Sequence, residues 1–382
     1  MIIEIRKAGF VNKGAQLMLY AVLQKMQQTY PDATFVMAPS PESGSQPFHK
    51  LVGLGMYPKA WLWLFGIQWG ILAGFLPKKL REMYGIVLDK EVDVVLDAAG
   101  FSYSDQLGVD SSKELACSSS RWKKQGTKLI LLPQAFGPYT NNNIRLHVAK
   151  FIENAALVFP REKVSYDYLV DVVGEQEKIK QFPDFTNLIN GILPDYFDVE
   201  NNKTCLVPNY RMIDMTIMEE SEAYLPFMIK CAKYLVENDA KPFILVHEGA
   251  NDMILATSIS DAVGGIPVIK EDDPLKIKGI LGACEATVGS RYHGLVSALS
   301  QGVPSLATGW SHKYLELFEE YGFPEGVVSV IGSDDELYKK IDFIIDPETK
   351  QALSSRLKEK SEEIKKLSEK MWKNVFSEID KK

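Results

Sequence analysis

The segment Gly289-Ser290-Arg291-Tyr292-His293-Gly294, followed by Leu295-Val296-Ser297-Ala298-Leu299, joins an apolar strand end to the start of a helix. Backbone N–H groups at such a start, with the positive end of the helix dipole, attract anions. Ser290 is placed to cap it. Arg291 adds a planar fork of donors that fits a carboxylate or phosphate, and His293 adds a group that exchanges a proton near neutral pH. The logic recurs one element later. Pro304-Ser305-Leu306-Ala307-Thr308-Gly309-Trp310-Ser311-His312-Lys313 reads as a strand running out into polar residues before a helix, with Lys313 as a further phosphate contact. Ligands of open α/β sheets bind at the carboxyl ends of strands, so the two junctions would face one crevice.

Other junctions follow the same pattern. Arg211 closes Pro208-Asn209-Tyr210-Arg211 after the run Thr204–Val207. His247 and Glu248 end Phe243–Val246, with Asp252 on the next helix. In the first half, Asn12-Lys13-Gly14, Gln134-Ala135-Phe136-Gly137-Pro138 and Arg161-Glu162 hold equivalent places. Singly, each is an ordinary polar loop of an α/β protein. Together they put basic and amide groups on facing edges of two domains, where a substrate cleft would form.

The elements that must position these residues are short apolar, β-branched runs alternating with helical patterns. The expected strands are Ile2–Arg6, Thr34–Ala38, Val92–Asp97, Lys128–Leu132 and Ala156–Pro160. A second series comprises Thr204–Val207, Phe243–His247, Pro267–Ile269, Ala286–Gly289 and Ser305–Thr308. Strands apolar on both faces and separated by helices indicate parallel sheets covered by helices. The stretch from Pro183 to Asn202, rich in Pro, Asn, Gly and Asp, reads as a linker. It separates an expected domain over 1–190 from a second over 203–345. Beyond them, 346–382 reads as a long amphipathic helix, with Leu353, Leu357, Ile364, Leu367, Met371 and Val375 as its apolar stripe.

Composition narrows the function. The 382 residues carry 43 Lys+Arg against 50 Asp+Glu, a net charge of -7. A net acidic chain is a poor nucleic-acid binder, so nucleic acid is not expected as a partner, and an anionic substrate would need a local basic cluster. Glu4 stands where a secretory signal would place basic residues, so the start reads as a strand. Cys117, Cys205, Cys231 and Cys284 stand alone, which fits buried thiols in a reducing cytosol. No HExxH, DxD-type pair or Cys/His cluster calls for a metal. The run Ala60–Pro77 has no charged residue and contains Trp61, Trp63, Phe65, Trp69 and Phe75, with Lys50 and Lys59 before it and Lys78, Lys79 and Arg81 after it. It is too short to span a bilayer. Two readings stay open, a buried helix with its loop and an interfacial helix facing lipid.

Ser290-Arg291-Tyr292-His293-Gly294, the downstream Gly302-Val303-Pro304 and Lys313 resemble the signature of polysaccharide pyruvyl transferases. So do Asn12-Lys13-Gly14, Gln134 with Gly137-Pro138, Arg161-Glu162 with Ser165, and Arg211 at a strand end. The order and spacing match over roughly residues 1–345. Two departures lie in the first half. Ala15-Gln16 stand where the family often has an acidic residue, and Asp97-Ala98-Ala99-Gly100-Phe101-Ser102-Tyr103-Ser104-Asp105 lacks the family's frequent paired glycines.

The resemblance implies two Rossmann-like domains in a GT-B-like arrangement with an interdomain cleft. It implies phosphoenolpyruvate (PEP) as co-substrate without a further cofactor, and a pyruvate ketal formed across two hydroxyls of a glycan in surface or capsular polysaccharide biosynthesis. Arg211, Ser290, Arg291, Tyr292, His293 and Lys313 would then hold the donor, with His293, Arg211 and Arg291 in the chemistry. Asn12, Lys13, Asp105, Gln134, Arg161 and His247 would face the acceptor, a glycan or lipid-linked oligosaccharide. The expected location is the cytoplasm, with any membrane contact peripheral, at the inner face and through residues 60–77. Two rivals are a GT-B glycosyltransferase using a nucleotide sugar and a non-catalytic carbohydrate-binding protein.

Overall fold

The computed structural model describes residues 1–39 and 48–381; Lys382, at the end of the expected terminal helix, lies outside them. The chain divides into two compact units, one of Met1–Phe185 with the residues from Leu367 onward, the other of Thr186–Lys366. Each is an α/β unit on a parallel sheet.

In the first unit the strands are β1 (Ile2–Arg6), β2 (Thr34–Met37), β3 (Tyr57–Pro58), β4 (Trp63–Leu64), β5 (Ile67–Gln68), β6 (Val94–Asp97), β7 (Phe101–Tyr103), β8 (Lys128–Phe136) and β9 (Leu157–Pro160). All but β4 and β5 join one sheet, ordered β3-β2-β1-β6-β8-β7, with β9 also on β8. Every pairing in that sheet is parallel. Parallel neighbours need crossovers, and helices such as Lys13–Thr29, Asp110–Gln125 and Asn142–Asn154 supply them. Ile3, Ile5, Val95, Leu129 and Leu131 are buried between these layers.

The second unit has β10 (Thr204–Val207), β11 (Pro242–Val246), β12 (Val268–Lys270), β13 (Ala286–Gly289) and β14 (Ser305–Ala307). They form a parallel sheet ordered β12-β11-β10-β13-β14. The order reverses beside β10, the first strand, which makes the carboxyl ends of β10 and β13 a topological switch point. Within the 183–202 segment, residues 183–189 are packed, whereas most of 190–201 is exposed. Asp184 is paired with Arg161, and Phe185 meets Trp372 edge-on at 5.8 Å. Beyond it, Gly191 and Gly279 approach so closely that a Cβ on Gly279 would lie 2.1 Å from the Ile192 carbonyl oxygen.

Four expectations are corrected. Cys117 is exposed, whereas Cys205, Cys231 and Cys284 are buried. Residues 60–77 form no α-helix. Phe65 and Gly66 both have positive φ, 54° and 75°, as a tight primed turn requires, and they join β4 to antiparallel β5. A 3₁₀ helix, Trp69–Phe75, follows; a Cβ on Gly70 would lie 2.4 Å from the Ala60 carbonyl oxygen, so only glycine fits. The terminal helix runs over Pro347–Asp380, but Leu367 is 46% exposed while Ser368 is buried. A 3.6-residue period carries the buried stripe from Ile364 through Ser368 to Met371 and Val375, and leaves Leu367 beside it. Strands β3 and β7 were not foreseen, because two or three residues give no readable alternation.

Candidate active site

Four strand ends of the second sheet converge through a hydrogen-bonded knot. Asn209, after β10, is buried and donates from Nδ2 to the Ser290 carbonyl at 2.6 Å. Tyr314 donates to the same carbonyl at 2.8 Å, so both lone pairs of that oxygen are used. The Tyr224 hydroxyl donates to Ser290 Oγ at 2.9 Å and accepts from the Asn209 N–H. Ser290 is therefore wholly buried beneath the junction. It does not cap the helix Tyr292–Leu299; the N-cap position falls on Arg291, and no side chain closes it.

Arg291 does not present an open fork. Its Nε and Nη2 donate to Asp252 at 3.0 and 2.5–2.6 Å, and Nη1 donates to Glu248. Asp252 also accepts from the Tyr210 N–H at 3.0 Å. It thereby ties the loops after β10, β11 and β13 together. Burial pushes the Asp252 carboxyl above its ordinary value, and the Arg291 charge only partly offsets this. A donor anion would have to displace two carboxylates to reach the Arg291 fork.

Arg211 opens the short helix Arg211–Asp214 and is half exposed, its guanidinium paired with Asp214 at 2.7 Å. An exposed i,i+3 pair is weak, so Arg211 is available to an incoming anion. Lys313, at the start of the helix Lys313–Glu320, has its ammonium 4.4 Å from the Trp310 ring, 5.5 Å from Tyr314 and 5.6 Å from Tyr292. Three aromatic faces hold this cation at one place. His293 lies edge-on to Tyr292 at 5.4 Å, on the first turn of its helix. His247, at the end of β11, belongs to this unit: its Cδ2 would lie 3.6 Å from a Cβ on Gly294. The same unit carries the candidate donor residues.

The other acceptor candidates lie in the first unit and are engaged in its own architecture. Asn12 caps the helix Lys13–Thr29, its Oδ1 accepting from the Ala15 N–H at 3.0 Å, and Lys13 is that helix's first residue. Gln134 is fully buried on β8 and donates to Asp97. Arg161 is buried and pairs with Asp184 at 3.0 Å. Ser165 accepts from the Phe136 N–H and donates to Glu162, closing the loop that contains the cis Gly137–Pro138 bond. Asp105 accepts from the Thr140 N–H and hydroxyl and from the Asn141 N–H; partial burial would raise its carboxyl, but these bonds hold it below its ordinary value.

Sequence reasoning missed Tyr224, Trp310 and Tyr314, and gave Asp252 no role. Trp310 and Tyr314 flank Lys313 at three residues before and one after, a spacing that could have signalled the cage. Tyr224 left no local signal, because it reaches Ser290 across 66 positions. Among the described residues no group of three or more His, Cys, Asp or Glu side chains is placed to hold a metal ion.

Solved structures share this fold at low identity. HepE from Anabaena, in complex with UDP-glucose, superposes with a TM-score of 0.60 at 14% identity, over 98% of this chain and 99% of that one. UDP-GlcNAc 2-epimerase from Neisseria meningitidis, bound to UDP-GlcNAc, gives 0.60 at 11% identity, over 99% and 100%. Such likeness shows a GT-B-like α/β fold with two Rossmann-like domains and no more. The family model for polysaccharide pyruvyl transferase matches residues 12–312, from the capping Asn12 to the residue before Lys313. With that match over most of its length, the chain belongs to the polysaccharide pyruvyl transferase family.

Proposed function

We propose that this enzyme moves the pyruvyl unit of PEP onto two hydroxyls of a lipid-linked glycan and releases phosphate. The observation behind this reading is the grouping of Arg211, Lys313 and His293 on one edge of the second sheet, within or beside the family match. PEP presents a carboxylate and a phosphate, and an acidic protein needs local cations to hold both. Arg211 and the aromatic-caged Lys313 supply them. Arg291, clamped by Asp252 and Glu248, sets the position of the loop from which His293 projects.

In the first step a sugar hydroxyl adds to C2 of PEP while a proton goes to C3. The C2–O bond to phosphate then breaks, the cations take up the charge of the leaving group, and the second hydroxyl attacks C2 and loses its proton. His293 is the proton-transfer group of this scheme. The acceptor side of the scheme goes to the first unit, where the family match begins at Asn12 and Lys13. Phosphate release from PEP with a panel of lipid-linked glycans tests the reading. Turnover of UDP- or GDP-sugars without PEP would replace it with a glycosyltransferase.

A further inference from the structure

The hairpin and 3₁₀ turn of residues 60–77 are built inside out. Gln68, the one side chain there with an amide or charge, is 5% exposed, whereas Phe65 is 88% and Phe75 85% exposed. Leu62, Leu64, Ile67, Trp69, Ile71 and Leu72 are exposed as well. Monomeric surfaces rarely leave so many contiguous apolar side chains in water without a use.

This projection is firmly rooted. Gln68 Oε1 accepts from the N–H groups of Leu62 and Gly70 at 2.8 and 2.9 Å. The Trp69 N–H donates to the Leu62 carbonyl, and its indole N–H to that of Leu64. At the base, Trp61 packs on the core with the buried Lys59 ammonium 4.3 Å from its ring and the Arg121 guanidinium 5.7 Å away. The apolar tip is therefore held outward by polar groups behind it.

Charge selects the occupant. Residues 48–81 contain Lys50, Lys59, Lys78, Lys79 and Arg81 and no Asp or Glu, in a chain whose net charge is -7. Lys59 and Arg81 are consumed by Glu4, Asp89 and Glu91. Lys78 and Lys79, directly after the tip in sequence, stay exposed, and Lys78 has only the exposed Glu82 carboxylate beside it, at 3.6 Å. Aromatic and aliphatic side chains followed by exposed lysines match the boundary of an anionic bilayer, where rings enter the acyl edge and ammonium groups meet lipid phosphates. No helix among the described residues is long and apolar enough to cross a membrane, so contact at this tip is shallow.

We infer that the 62–76 projection docks the enzyme onto an anionic lipid surface through Phe65, Trp69 and Phe75, with Lys78 and Lys79 at the headgroups. The inference stands on the first unit alone and is independent of the donor chemistry.

Flotation of the full chain with phosphatidylcholine vesicles, with and without phosphatidylglycerol, tests it. The protein should float with the anionic vesicles and bind neutral ones more weakly. Phe65→Asn with Phe75→Gln should weaken binding by about tenfold or more while leaving the melting temperature unchanged, because both rings face solvent. Lys78→Glu with Lys79→Glu should remove the preference for anionic lipid. Failure of the wild type to float, or undiminished flotation of the double Phe variant, overturns the inference. So does a wild-type dimer that the Phe variant dissolves without any vesicle binding, which would give the patch to a second copy.

Discussion

The Arg291 guanidinium lies on the Asp252 carboxylate through Nε and Nη2, and the same carboxylate accepts the Tyr210 N–H at 3.0 Å. One buried acid thus fixes the loops that carry Arg211 and His293. Asp252→Asn keeps an oxygen for Tyr210 but loses the charge that holds Arg291. Misplacing a reacting group by about 1 Å can cost about a hundredfold, and we expect a loss of that size in kcat, measured well below a melting temperature that the lost buried pair itself lowers. The pH profile adds a second readout. Burial raises the Asp252 carboxyl, so as pH falls through that raised value the wild type loses the pair, and the acid limb of kcat/KM is displaced upward from the ordinary Asp value. Asp252→Asn should abolish that limb; an unchanged limb would assign it elsewhere.

Arg211 and His293 test the chemistry directly. Arg211 is half exposed, so Arg211→Ala should shift stability by no more than about 0.5 kcal/mol. His293→Ala should likewise stay folded. Both should lose PEP-dependent phosphate release, and near-wild-type turnover in either would remove that residue from the mechanism.

The caged lysine separates binding from folding. Lys313→Met should weaken PEP binding by about tenfold or more, read as a lost thermal shift on PEP addition, since one charge-assisted contact disappears. Tyr314→Phe removes the 2.8 Å bond to the Ser290 carbonyl and should cost about 1 kcal/mol of stability. If Lys313→Met keeps the full PEP shift, the cage is structural only.

Strand ends were legible in the sequence because parallel strands buried on both faces write continuous apolar runs, and β1, β10 and β13 fall on the expected residues. The basic residues at those ends were legible for the same reason. What the sequence hid was long-range pairing. Nothing near Arg291 announces that Asp252 and Glu248, 39 and 43 positions away, occupy its fork. The 60–77 run was misread as helical because a charge-free apolar stretch carries no period. Its glycines and the positive φ of Phe65 decide for a turn that propensity alone does not show.

A buried charge cluster under the projection gives the last prediction. The Lys59 ammonium pairs with Glu4 at 2.5 Å and Asp89 at 3.0 Å, and Asp89 also accepts from Arg121 and from the Trp122 indole. Lys59→Met leaves two buried carboxylates short of a cation and should cost about 3–5 kcal/mol in urea unfolding. Burial alone would raise Asp89, but Lys59 and Arg121 outweigh it and bring the carboxyl from 3.8 down to about 2. A carboxyl lowered by folding stabilises the native state above its unfolded value, and that stability drains away as acid carries it through its folded value. Glu4 behaves oppositely. Burial raises it above 4.5, so it takes up its proton first and adds no loss there. Stability should therefore fall by about 2 kcal/mol between about pH 4 and pH 2 on account of Asp89. Asp89→Asn should flatten that slope in a pH series of urea midpoints. An acid slope equal to that of the wild type would mean other carboxylates govern it.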